Sequence, residues 1–313
     1  MNKYIKKIIQ SICLVALLTT ITACGKTDLK EIVIAEQYGL AYAPIVIMRE
    51  MAFLEEEAVG YQVRWEKLGN TAAIREAMLT DDLDVGFMGI PPFLIGADQS
   101  MGWKIISGLC RSPLGLMTND AEVGRIEDLI GNGKIALPQP GSIQHILLAM
   151  AAERSLGDAQ AFDRQLLSMK HPEGYQAMVT ASEVTAHFTS PPYLFQEMDT
   201  PGMTQLISGD EAFGGEFSFI VGVCREGFKK DEIAYEAFEK ALEASVTYIY
   251  ENKEESIQLL AKAYELPETT IEDYVYARGI AYDQEILGLQ RFIDFMYEVD
   301  YIQEPLKEEA LIW

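Results

Sequence analysis

The chain has 313 residues, with 25 Lys and Arg against 48 Asp and Glu, and a net charge of −23. So acidic a balance excludes nucleic-acid binding, which needs basic patches to neutralise phosphates, and it opposes adsorption to anionic lipid. An apolar content of 49% over this length supports two domains of ordinary size, and no low-complexity stretch interrupts them.

The first segment sets the compartment. Lys3, Lys6 and Lys7 precede an apolar run, Ile8 to Leu18, that is too short to span a bilayer. Ile21-Thr22-Ala23-Cys24 then closes the segment as a small-residue cleavage site ending in cysteine, so residues 1–23 read as an export signal. The ending resembles a bacterial lipobox, with Ile and Thr at its first two places where Leu and Ala or Ser are commoner. That likeness implies lipidation at Cys24 and a short tether over 24–30, on the extracytoplasmic face of the cell membrane. Two acyl chains give stable anchoring where one gives marginal binding. An ordinary secretory peptide cut near Ala23 is the alternative.

Glu31 to Glu36 reads as a strand, followed by an amphipathic helix from Tyr42 to Leu54 that Ala43-Pro44 opens. Tyr61 to Leu68 alternates as a strand does, and Asn70 caps a helix over Thr71 to Leu79. Asp84 to Met88 is a buried strand, Pro91 to Gln99 a helix, and Trp103 to Cys110 another strand. Strands alternating with helices of this length predict α/β lobes with mostly parallel sheets.

Arg111-Ser112-Pro113-Leu114-Gly115 breaks the pattern, and a second series begins with strands at Ile126 to Leu129 and Lys134 to Leu137 and a helix from Ser142 to Arg154. Leu166 to Met169, Tyr175 to Thr180, Val184 to Thr189 and Pro192 to Met198 complete it. Phe217 to Cys224 is a continuous apolar strand that reads as the return crossing, and the acidic helices beyond Lys230 are expected to pack on the first lobe. The division is therefore a first lobe over 31–110 and 218–313, with a second over 111–217.

The chain also resembles itself at a spacing of 100 residues. Arg75 to Leu94 and Tyr175 to Leu194 align without a gap and share Ala, Met, Thr, Pro, Pro and Leu. Each copy runs from a helix end through a turn and a buried strand to Pro-Pro, which is tolerated where a helix starts. Two lobes of like construction follow, each aiming helix N-termini at the carboxyl edge of its sheet, where open α/β folds bind ligands. Cys110 and Cys224 lie near the two crossings; an oxidising exterior permits a disulfide between them, and two separately buried thiols are the favoured reading.

The order of these motifs resembles the substrate-binding proteins of ABC importers: the lipobox, Ala43-Pro44 after the first strand, Gly69-Asn70 before a helix, Asp84-Val85-Gly86 before Gly89, then Gly141-Ser142 and Thr189-Ser190-Pro191. The likeness runs over nearly all of the chain after the signal and is greatest to the nitrate, sulfonate, taurine and thiamine-pyrimidine-precursor group. It implies the type II periplasmic-binding fold, α/β with two lobes joined by two crossing strands. It also implies a monomer that closes on a small molecule for delivery to a membrane permease, with no cofactor and no metal.

By position, the ligand contacts are Gln37, Tyr38 and Tyr42 after the first strand, then Asn70, Thr71, Gly89 and Ile90 at later turns. Ser142, Gln144, His145, Thr189 and Ser190 supply the second lobe, and Arg111 beside the crossing suits an anionic group. Each has a plainer role available: Asn70, Ser142 and Ser190 as helix caps, Tyr42 in the core, Arg111 paired with a nearby acid. Helix N-termini suit a sulfonate or nitrate, whereas Tyr38, Tyr42, Phe93, His145 and Tyr193 suit a flat heteroaromatic such as a pyrimidine. The same fold hosts pyrimidine-forming enzymes and lyases, so catalysis is the alternative. Against it, His145, His171 and His187 show no zinc spacing, and no Gly-x-Ser-x-Gly or phosphate loop is present.

Overall fold

The computed structural model describes residues 29–180 and 183–313; the segment expected to be an export signal, 1–23, and the expected lipidation site Cys24 fall outside the described residues. Two five-stranded sheets form the centre of the molecule. The first contains β1 (Lys30–Glu36), β2 (Tyr61–Lys67), β3 (Val85–Gly89), β4 (Trp103–Cys110) and β10 (Ile220–Arg225), in the order β2-β1-β3-β10-β4. The second contains β5 (Gly115–Thr118), β6 (Lys134–Leu137), β7 (Leu166–Ser168), β8 (Val184–Thr189) and β9 (Thr204–Ser208), in the order β7-β6-β8-β5-β9. With the crossing strands β10 and β5 left out of the numbering, both orders read second, first, third, crossing strand, fourth.

The direction of the strands follows from how the chain crosses. β1 pairs in parallel with β2 and β3, and β6 with β7 and β8, because a helix returns the chain to the starting edge each time. Between the sheets there is no return: the chain leaves the carboxyl end of β4 and enters β5 from the edge it has just reached. β5 therefore runs antiparallel to β8 and β9, and β10, entered by the second crossing, runs antiparallel to β3 and β4. Four of the five strands in each sheet share a direction, yet half of the pairings are antiparallel.

Helices cover both sheets, which is why Ile32 to Ala35 of β1 and the whole of β3 are buried. The internal repeat falls on equivalent elements. Its first copy joins the end of α3 (Thr71–Leu79) through β3 to α4 (Ile90–Asp98), and its second joins α6 (His171–Val179) through β8 to α7 (Tyr193–Met198). Pro91 and Pro92 lie in the first turn of α4, whereas Pro191 and Pro192 stand just ahead of α7 with a cis peptide between them.

Three local readings are corrected. Ile126–Leu129 is a 3-10 helix and not a strand, because Asp128 accepts hydrogen bonds from the backbone N–H of Gly124 and Arg125 and closes a turn. The return strand starts at Ile220, since Ser218 is bonded instead to Glu285 and Leu287. β5 and β9 escape a pattern search because both are only four or five residues long.

Of the later helices, α10 (Glu232–Glu251) packs on α1 (Ala43–Glu50) and α2 (Phe53–Glu57), and α11 (Lys253–Tyr264) also packs on α1. α13 (Leu289–Glu298) behaves differently. Its fully buried Phe292 packs tilted against Phe213 at 4.7 Å and edge-on to Phe217 at 5.8 Å, while the helix also touches α4 of the first sheet's layer. Cys110 and Cys224 are free and buried. Cys110 is opposite Ile220, four residues along β10 from Cys224, a separation of about 13 Å that no disulfide spans.

Candidate ligand-binding cleft

The carboxyl edges of the two sheets face each other. A Cβ added to Gly89, at the end of β3, would lie 3.3 Å from the Cβ of Ile143 at the start of α5 (Ile143–Leu156). One added to Gly39, after β1, would lie 3.7 Å from the carbonyl of Pro191, after β8. Gly39 also has φ of +116°, a conformation open to glycine and costly for other residues. Strand-to-helix turns of both halves thus come into contact along these edges.

On the first sheet's side, the cleft wall is mostly backbone and apolar surface. Gln37 donates its Nε2 to the carbonyl of Phe87 at 2.9 Å, so its amide ties β1 to β3. Tyr38 is exposed, with the Lys67 ammonium 4.4 Å from its ring centre. Tyr42 and Phe93 are buried in the core, and burial pushes the Tyr42 hydroxyl well above its ordinary pKa. Asn70 accepts from the backbone N–H of Ala73 as the cap of α3, leaving Asn70 exposed and Thr71 half-buried at the rim. Gly89 and Ile90 are buried where the lobes touch. The one buried charge nearby is Glu36, which pairs with Arg49.

The second sheet's side is polar. Ser142 caps α5 by accepting from the backbone N–H of His145 at 3.3 Å. His145 is buried: its Nδ1 accepts from the Gly141 N–H at 3.0 Å, and its Nε2 faces Asp163 at 3.4 Å. Burial lowers its pKa, and Asp163 offsets this only in part. Gln144, Thr189 and Ser190 are buried as well, and all three converge on one residue outside the expected set, His171 at the start of α6. Gln144 Nε2 and Ser190 Oγ lie 3.3 and 3.4 Å from His171 Nε2, and Thr189 Oγ1 lies 3.0 Å from His171 Nδ1. Behind it, His187 Nε2 is 3.3 Å from His171 Nδ1, and His187 Nδ1 is 2.6 Å from Glu197. Tyr193 stacks on the open face of His171 with ring centres 6.2 Å apart.

Composition alone did not single out this network, but one sign of it was available. β8 reads Val-Thr-Ala-His-Phe-Thr, and an ionisable side chain in the buried stretch of such a strand requires a buried partner. Burial drives His171 and His187 down to about 3 and Glu197 up to about 8. Among the described residues no cluster of His, Cys, Asp or Glu has the makings of a metal site.

Beside the first crossing, Arg111 is engaged with Asp283 at 2.8 Å and Glu216 at 3.2 Å, both within the protein. It borders a cavity of about 600 Å³ whose walls include Leu194, Phe195, Gln205, Asp210 and Arg278. Arg278, just beyond α12 (Glu268–Tyr276), reaches across to Asp199 at 2.9 Å while also holding Asp273 at 2.7 Å. No helix among the described residues is long and apolar enough to cross a membrane.

Two sheets of matching order, joined by two crossings and opposed at their carboxyl edges, define a periplasmic-binding-protein fold of type II. Solved structures agree. The alkanesulfonate-binding protein SsuA from Xanthomonas axonopodis pv. citri, bound to MOPS, is similar at a TM-score of 0.76 and 17% identity, over 90% of this chain and 98% of that one. The ligand-binding component of an ABC-type import system from Staphylococcus aureus is similar at 0.74 and 14%, over 91% and 96%. The periplasmic nitrate-binding protein NrtA from Synechocystis PCC 6803 gives 0.68 and 17%, over 90% and 85%. No protein-family model matches the sequence, and no curated protein does.

Proposed function

We propose that this chain is an extracytoplasmic solute-binding lipoprotein, anchored through Cys24, that delivers a small molecule to an ABC permease by cleft closure. The observation that carries the reading is the opposition of the two carboxyl edges, where Gly39 meets Pro191 and Gly89 meets Ile143, in halves joined by two crossings, by α13 and by the Arg278–Asp199 pair. A ligand touching both walls stabilises the closed arrangement because only that arrangement offers both sets of contacts. The similar structures named above are binding proteins, which supports binding over catalysis. Their sulfonate and nitrate ligands, together with the N-termini of α5 and α6 at the cleft, favour an anion or another group rich in acceptor oxygens.

The test is a thermal-shift screen of residues 25–313 against ethanesulfonate, nitrate and an aminopyrimidine. A ligand at one hundred times its Kd adds about 2.7 kcal/mol by mass action, a readily visible shift. The reading stands if a small molecule raises the melting temperature and contracts the radius of gyration in X-ray scattering. Turnover of a probe without any such contraction would replace it with the enzyme reading.

A further inference from the structure

The buried chain behind Ser190 has a direction. Glu197 is completely buried, its Oε1 bonded to His187 and its Oε2 without a partner, and no Lys or Arg is bonded to it. A lone ionised carboxylate in that position is strongly disfavoured, so one extra proton is shared between Glu197 and His187. Wherever that proton sits, on the carboxyl or on His187 Nδ1, the other nitrogen of His187 carries its own hydrogen and donates to His171 Nδ1 at 3.3 Å. The Thr189 hydroxyl lies 3.0 Å from the same atom. His171 Nδ1 is then an acceptor and its hydrogen is on Nε2, facing Ser190 and Gln144; since two donors do not face each other, the Gln144 amide is turned to bring its Oε1 to that hydrogen.

We infer that Glu197 and His187 are positioning residues that fix the tautomer of His171, so that this wall of the cleft presents hydrogen-bond donors and selects a ligand group that accepts them. With Nε2–H turned toward the Ser190 oxygen and the Gln144 Oε1, the Ser190 hydroxyl hydrogen and the Gln144 amide hydrogens are free to point at the ligand. A sulfonate or carbonyl oxygen fits such a wall, and a ring N–H or amino group does not. This deepens the proposed function and rests on it for the ligand, but not for the tautomer.

The chain contains only three histidines, so each resonance of histidine-labelled protein is assigned by one substitution. Long-range proton–nitrogen spectra of the protein over residues 25–313 report which ring nitrogen of His171 is protonated. The expected result is Nε2–H in the wild type and in Glu197→Gln, whose amide donates to the same His187 nitrogen. Glu197→Met, which cannot donate, is expected to give a mixture of tautomers and to weaken ethanesulfonate binding roughly fivefold relative to Glu197→Gln. A wild-type His171 protonated on Nδ1 overturns the inference, whether or not any ligand binds and whether or not the Met variant folds. Absence of binding by every probe overturns the functional reading instead and leaves the spectra decisive for the tautomer.

Discussion

The two walls of the cleft are built on the same strand order and solve the problem of buried polarity in opposite ways. On the first sheet's side, Glu36 at the end of β1 is balanced by the guanidinium of Arg49 one helix away, so the pair is ionic. On the second sheet's side, Glu197 has only His187, whose ring is itself buried, and the pair shares its proton. The first wall keeps its charge behind the core and shows the cleft mainly backbone and apolar surface. The second relays its polarity forward through His171 to Ser190 and Gln144. Matching topology therefore fixes where the walls stand, while a few buried side chains decide what each wall offers.

The sharpest way to break this contrast is Arg49→Leu. It strands Glu36 as an uncompensated buried carboxylate, and a loss of about 3 kcal/mol in urea unfolding is expected. Glu197→Gln should cost far less, because the neutral amide keeps the hydrogen bond to His187; an equal loss in the two variants would show the walls to be alike.

The next effect is a pH dependence. Glu197 is raised from 4.5 to about 8, so the folded protein holds a proton that the unfolded chain gives up, and its stabilisation is lost as pH climbs from about 4.5 through 8. His171 and His187 are lowered from 6.5 to about 3, so their contribution is present above 6.5 and is lost as pH falls toward 3. Together they place the best stability of the network near pH 6.5. Melting curves across pH 4 to 9 should show Glu197→Gln losing the decline above 6.5 and keeping the one below.

Smaller still are the helix caps, one in each half. Asn70→Ala and Ser142→Ala each remove one acceptor from a helix start and should each cost about 1 kcal/mol. The smallest effect belongs to Asp199→Ala, which cuts the Arg278 bridge between the halves at a half-exposed site. Its expected cost is under about 1 kcal/mol of global stability. The informative readout is a larger radius of gyration without ligand, since the bridge holds the lobes together.

Much of the architecture was legible in the chain. Pro91-Pro92 and Pro191-Pro192 mark equivalent places because β3 and β8 are the third strands of matching sheets. The Ile-Val-Ile-Ala run of β1 signals burial on both faces. What stayed hidden was short or long-range. β5 has four residues and no period to detect, and Phe217 to Phe219 looks like strand until its bonding to residues 285–287 is seen. At the site, turn positions located Gln144, Thr189 and Ser190, but not the histidine on which they converge. His171 acquires its role from His187, 16 residues away, and from Glu197 on a different helix. That relation is made by packing and has no spacing rule in the sequence.

The crossings carry one more consequence. The backbone N–H of Phe219 donates to the carbonyl of Cys110 at 2.9 Å, so the chain comes back to within a hydrogen bond of where it departed. Everything between those residues is, in effect, a loop grown into a sheet of its own. A loop with neighbouring ends can be lengthened, swapped or spliced out while its host keeps its register, which is how a single α/β unit can come to be doubled inside itself.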